Sequence, residues 1–209
     1  MPTRVVCISR ALGAHGEDVG RLVAERLGFR YVDEEIVALA AERGRVDPAT
    51  ISDSEQRRSF VHRLLEQLAT SGGPEAIFPV GAVTDLTDRT EVHRALIRDV
   101  VEEVGGQGDA VIVAHAASIA LGGRADVLRV FVTASPETRT GRVAEAQELE
   151  PKAASKRVRD EDAARASYFR EFYDLDRELP THYDLVINTD ALTAEQAADI
   201  VVHAAQLAR

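Results

Sequence analysis

The stretch VVCISRALGAHGEDVGRLVAERLG, residues 5–28, decides the fold. Val5, Val6, Cys7 and Ile8 form an apolar run, and Gly13 and Gly16 punctuate the turn that follows. Val19, Leu22, Val23 and Leu27 then recur at the spacing of one helix face. A strand, a glycine turn and a helix N-terminus in that order make an anion site. Glycine lets the backbone approach a ligand closely, and the first helical turn carries N–H groups without intrahelical acceptors. The phosphate of a nucleotide is the expected guest. A Walker A motif, however, continues from its glycine into Lys-Ser/Thr, whereas here Gly16 is followed by Glu17 and Asp18. The backbone pattern predicts phosphate, and the side chains partly oppose it.

Outward from this stretch, five β-rich runs are expected, at residues 4–9, 29–32, 110–114, 127–133 and 183–188. The last three are nearly continuous apolar stretches, as in strands buried on both faces of a parallel sheet. Ser135-Pro136-Glu137 reads as an N-cap with proline in the first turn, and Thr193 to Gln196 as a capping box opening the last helix. Strands alternating with helices predict a doubly wound α/β fold whose ligand lies beyond the carboxyl ends of the strands. The interval 34–107 is too long for a simple crossover and predicts a helical insert within one domain spanning 1–209.

Composition narrows the function. With 209 residues, 45% hydrophobic and 29% charged, the chain reads as an ordinary globular domain whose core, at 5% aromatic, rests on aliphatic side chains. A net charge of -10 argues against nucleic acid or an anionic membrane as partner, while a local basic cluster can still hold a small phosphorylated ligand. Cys7 is the single cysteine, so no intrachain disulfide forms, and mid-strand it reads as a small buried hydrophobe. No leader or membrane-length apolar run is seen, which makes the cytoplasm the expected compartment. Homo-oligomerisation is left open.

With these pieces placed, the chain resembles the cytidylate kinase-like family of P-loop proteins, relatives of the nucleoside monophosphate kinases. The matching residues are Ile8-Ser9-Arg10 with Gly13 and Gly16, the helix ending LVAERLG, and Phe29 to Asp33. To these are added Ala110 to Val113, Val130-Phe131-Val132 with Pro136 to Arg139, the arginine-bearing VRDEDAARASYF at 158–169, and YDLVINT at 183–189. The resemblance implies a P-loop nucleoside monophosphate kinase-like fold: a five-stranded parallel sheet with helices on both faces. It also implies an acceptor-binding insert at 34–107, an arginine lid within 145–180, ATP with Mg²⁺, and a nucleotide acceptor, CMP or dCMP first. The departures are Ala11, Ala14 and His15 in the loop and Ala114-His115-Ala116 after the third strand, where the family carries an acid, a serine, a glycine and a Gly-Arg-Gly pattern. They leave open a non-catalytic nucleotide-binding protein on the same scaffold, or a kinase of another small substrate.

The candidate residues follow from the chemistry. Phosphoryl transfer needs positive charge around phosphate oxygens, and Arg10 is the loop residue able to replace the missing lysine, grip phosphate bidentately, or else pair with an acid. Ser9, Gly13, Ala14, His15, Gly16, Glu17 and Asp18 complete the expected nucleotide loop; Glu17 and Asp18 equally suit a helix start electrostatically. Arg159 and Arg165 are the expected catalytic lid arginines, with Asp162 between them at three-residue spacing to hold them, and Arg139 reaches the same space from the helix after strand four. Asp33, His115 and Asp162 are candidate substrate contacts, Asp33 also a candidate helix cap. Arg57, Arg58, Arg63, Arg94 and Arg98 are acceptor-phosphate candidates among which spacing does not choose. No protein-held metal cluster is expected.

Overall fold

The computed structural model describes residues 2–33, 90–114 and 117–207. Its frame is a parallel sheet of five strands: β1 (Val5–Arg10), β2 (Arg30–Asp33), β3 (Ala110–Val113), β4 (Val127–Thr133) and β5 (Leu185–Asn188), in the order β2-β3-β1-β4-β5. The apolar run that opens the chain lies at the centre, with Val5 facing Ala110 on one side and Val127 on the other. Parallel strands need cover on both faces, and Val5, Val6, Cys7 and Ile8 are all fully buried. Burial pushes the Cys7 thiol up to about 12, so it is an inert core group.

The helices are α1 (Gly16–Leu27), α2 (Thr90–Gln107), α3 (Ala117–Ala120), α4 (Pro136–Ala146), α5 (Pro151–Tyr173) and α6 (Ala194–Leu207), with a 3₁₀ turn at Pro180–His182. Val19 and Val23 of α1, with Ala197, Ala198 and Val201 of α6, pack on Val6, Ile8, Val111, Val130 and Val132. Side chains alternate across a strand, so Phe131 between those last two points to the other face, where it stacks on Tyr183 at 5.2 Å. Ser135 caps α4 by accepting the Thr138 N–H, and Thr193 and Gln196 exchange side-chain and backbone bonds at the start of α6. Among the described residues no helix is long and apolar enough to cross a membrane.

The chain divides into two units, Met1–Asp33 with Gly108–Arg209, and Glu34–Gln107. Of the second, α2 is described, with Val100, Val101 and Val104 buried. In the first, every strand carboxyl end lies at one edge of the sheet. β1 leads toward β2 on one side of the sheet, while β3 leads across β1 to β4 on the other, so the crevice for a ligand opens where β1 ends.

Candidate functional site

The turn after β1 is held from behind. The Ala11 N–H donates to the Val132 carbonyl at 3.0 Å and the Ala14 N–H to the Ala11 carbonyl at 3.1 Å. The Gly13 carbonyl accepts from the Arg142 guanidinium at 3.2 Å, and the Ala14 carbonyl accepts the Thr189 hydroxyl at 3.0 Å. Arg142 also grips Thr189, through its hydroxyl at 3.0 Å and its carbonyl at 2.6 Å. With these carbonyls tied to α4 and the end of β5, the free N–H groups of the first turn of α1 are left to face a ligand. Gly13 has φ 79°, and a Cβ there would lie 2.8 Å from the Arg139 carbonyl oxygen, so only glycine fits against the α4 backbone.

The start of α1 shifts the motif frame by one residue. His15 has φ 60° and caps the helix, the left-handed conformation a loop glycine takes without strain, and Gly16 is the first helical residue. From Arg10, the last residue of β1, to His15 is the spacing between the two glycines of G-x-x-x-x-G-K, which puts Gly16 at the lysine position. The space of the absent side chain is filled: a Cβ on Gly16 would lie 2.4 Å from Arg10 Cβ and 3.0 Å from Arg10 Cδ. The Arg10 side chain therefore runs over the helix start where a lysine would stand.

Both acids of the first turn are paired. Arg10 Nε donates to Glu17 Oε1, and Asp18 Oδ2 lies 2.9 Å from His15 Nδ1. The acid partner foreseen as the alternative role of Arg10 is thus present, on the next turn of chain. Next to this loop lies an open cleft of about 740 Å³, lined by His15, Asp18, Arg142, Asp190, Thr193 and Glu195 among others. The Ser135 N–H donates to Asp190 at 2.8 Å, and this bond and its neighbours hold the Asp190 carboxyl down at about 2.

The arginine-bearing helix differs from the expected lid. Three-residue steps on a helix of 3.6 residues per turn slip by about 60° each, so Arg159 and Arg165 end about 120° apart. Arg159 is exposed and donates to Ser155 on its own helix at 2.8 Å. Asp162 holds neither of them: its two oxygens accept from Arg139 at 2.8 and 2.7 Å, joining α5 to α4. That commits both terminal nitrogens of Arg139 and leaves its buried Nε–H without an acceptor among the described residues. Arg165 is buried, its guanidinium 5.3 Å from the Phe131 ring centre and 4.9 Å from that of Phe169. It donates to the Arg10 carbonyl at 3.0 Å and Ser9 Oγ at 2.8 Å, and to both oxygens of Glu178 at 2.8 and 2.5 Å. The pair expected to move together is therefore one surface arginine and one arginine built into the root of the loop.

Tyr168 and Tyr173 lie against each other and Phe169 rather than on an open face. Asp33 ends β2 opposite Val113, at the same carboxyl edge as the loop. His115, Arg57, Arg58 and Arg63 lie outside the described residues, as do the side chains of Arg94 and Arg98. Glu178 and Asp190 were not foreseen. Each is an acid in a polar connection, and only the fold reveals what it faces. Among the described residues, no group of three or more His, Cys, Asp or Glu side chains is placed to hold a metal ion.

This geometry has relatives. The chain is 25% identical over 198 residues to a cytidylate kinase of Methanocorpusculum labreanum, covering 94% of this chain and 93% of that one. It is 27% identical over 114 residues to a cytidylate kinase of Halobacterium salinarum, covering 54% of this chain and 59% of that one. Among solved structures, an uncharacterized protein of Eubacterium ventriosum superposes with a TM-score of 0.62 at 16% identity, over 97% of this chain and 98% of that one. The shikimate kinase of Acinetobacter baumannii superposes with a TM-score of 0.50 at 14% identity, covering 97% and 92%. At those identities the solved structures speak for the fold alone. The family model described as the cytidylate kinase-like family matches residues 5–191, a span that holds all five strands of the sheet and the loop with α1. The chain belongs to the cytidylate kinase-like family.

Proposed function

We propose that the protein transfers the terminal phosphoryl group of ATP to a nucleoside monophosphate, with CMP or dCMP as the first acceptors to try. The observation that carries this reading is the Arg10 side chain lying over Gly16, which supplies a cation at the helix start on a chain without the lysine. The triphosphate sits on the N–H groups of the loop and the first turn of α1, and a planar guanidinium can grip two of its oxygens. Arg10 then exchanges the Glu17 carboxylate for phosphate oxygens. The nucleoside of ATP takes the cleft beside Arg142 and residues 190–195. Magnesium enters as part of the nucleotide substrate, where it neutralises phosphate charge. Arg159, exposed and bonded to Ser155 on its own helix, is a cation able to swing toward the transferring group. Acceptor recognition is assigned to residues 34–107, with Asp33 and His115 as contacts. A cytoplasmic nucleotide pool is the natural source of both substrates.

The test is incubation with ATP, Mg²⁺ and each nucleoside monophosphate in turn, with direct detection of the diphosphate, and Arg10→Ala as control for a contaminating kinase. Turnover lost in the variant supports the reading. No turnover with any acceptor, while calorimetry shows tight ATP binding, sinks it in favour of a nucleotide-responsive binding protein. The Arg10–Glu17 pair favours that second reading, since a carboxylate already occupies the cation. Protection of residues 34–107 from hydrogen exchange by one acceptor and not others identifies the substrate.

A further inference from the structure

We infer that Glu178 is a positioning residue for the phosphate loop, acting through Arg165. The inference rests on the loop being the phosphate site proposed above. Glu178 lies between α5 and the turn at Pro180–His182, far in sequence from the loop. Its two oxygens take the Nε–H and one Nη2–H of Arg165 side-on, at 2.8 and 2.5 Å. That choice of edge dictates what is left. The adjacent, end-on edge of the guanidinium meets Ser9 Oγ through the other Nη2–H at 2.8 Å and the Arg10 carbonyl through Nη1 at 3.0 Å. The rings of Phe131 and Phe169 also lie against the guanidinium, at 5.3 and 4.9 Å from its central carbon, and add packing to these bonds.

The grip falls on the last two residues of β1, immediately before the turn. It therefore sets where the Arg10 backbone stands, and with it where the Arg10 side chain begins its path over Gly16. An arginine whose N–H donors go to Glu178, Ser9 and Arg10 is built into the root of the loop rather than aimed at a phosphate, and its task here is to hold the loop. Glu178 is the group that holds it in that orientation. Small displacements of a positioned cation cost large factors in binding and rate, so a residue on the far side of Arg165 reaches the ligand without touching it. A glutamate in a polar connection carries no periodic signal, which is why sequence pattern passes over it.

The experiment measures MgATP affinity by calorimetry, with a melting curve for each protein, in wild type, Glu178→Gln, Glu178→Asp, Ser9→Ala and the Ser9→Ala/Glu178→Gln double variant. Glu178→Gln is expected to weaken MgATP about tenfold, Glu178→Asp by a smaller factor because the charge is kept, and the double variant by clearly less than the product of the single losses. The sub-multiplicative cycle is the signature of one path through Arg165, which a merely structural role would not produce. A folded Glu178→Gln protein that melts lower yet binds MgATP like wild type overturns the inference, as does a cycle in which the losses multiply. If Glu178→Gln does not fold, Glu178→Asp is judged alone and in a cycle with Ser9→Ala by the same two criteria. Wild-type protein that binds no MgATP at all removes the phosphate reading and this inference with it, an outcome distinct from equal binding by wild type and variant.

Discussion

Two arginine–carboxylate pairs meet at the root and the tip of the same loop, and they are built differently. At the root, Arg165 and Glu178 have side chains only 7% and 18% exposed, with two aromatic rings packed against the guanidinium. At the tip, Arg10, which ends β1, and Glu17, on the first turn of α1, have side chains 19% and 42% exposed. In water an ion pair of the second kind is worth at most about 1 kcal/mol and exchanges readily for another anion. A pair of the first kind cannot exchange, because parting it strands a charge in a low-dielectric setting. One pair is architecture and the other is a latch. Arg139 with Asp162 falls between: the arginine is buried, while the acid keeps access to solvent.

Replacing Arg165 by Met is the sharpest way to break this contrast. It removes the cation, keeps most of the volume and leaves the half-buried Glu178 without its partner, which costs about 3 kcal/mol, the low end for breaking a buried pair. For a chain of this size that lowers the melting temperature by about 10 °C. Adding Glu178→Leu is expected to restore most of that stability but not MgATP affinity, because two apolar groups pack where the pair stood yet leave Ser9 and the Arg10 carbonyl unheld. Recovery of both together would mean that the buried pair does no more than fill space.

The fold was legible because its signals are local. The strand run at 127–133 needs no adjustment, and the others shift by a residue or two where side-chain packing outruns the hydrogen-bond ladder. At the last strand the expected run starts at 183, whereas pairing begins at Leu185, because Tyr183 is apolar for another reason: it stacks on Phe131 beside the sheet. The loop and its cation were legible too, since glycines and a helix start are read one after another along the chain. The pairings were not. Asp162 at three-residue spacing looked like the clasp of its own helix, and it turned instead to Arg139 on α4, 23 residues back. Which acid takes which arginine depends on how two helices pack, and neither helix encodes that alone. The lysine position was misread for a related reason: His15 adopts a conformation that its residue type disfavours, so the true helix start was hidden by one residue.

At the tip, Arg10→Ala is expected to lower phosphoryl transfer by about 10²–10³, the usual loss when one preorganised cationic or hydrogen-bonding group is removed, while the melting temperature changes little. A large melting shift would make Arg10 part of the architecture after all. Gly13→Ala comes next in size. Its Cβ would sit in a left-handed backbone and 2.8 Å from the Arg139 carbonyl oxygen, so the loop must lift off α4. Strain of about 1–2 kcal/mol from the backbone alone is expected, read as a lower melting temperature together with weaker MgATP binding. Loss of stability with unchanged binding would show that the loop adapts to phosphate whatever its seat.

The smallest effect is the most telling, because its sign is unusual. Glu17→Gln removes a carboxylate that competes with phosphate for Arg10 and a negative charge standing beside the triphosphate. Both changes favour the ligand, so affinity for MgATP, and for inorganic tripolyphosphate, is expected to rise about fivefold, or ~1 kcal/mol, with melting shifted by little. Part of that gain is long-range repulsion between exposed charges, so it shrinks in strong salt, where the screening length falls to about 3 Å at 1 M. Arg10 keeps its course over Gly16 in this variant, since the contact with the helix start is steric and owes nothing to the charge of residue 17. If affinity falls instead, Glu17 orients Arg10 in the way Glu178 orients Arg165, and the tip of the loop follows the same rule as its root.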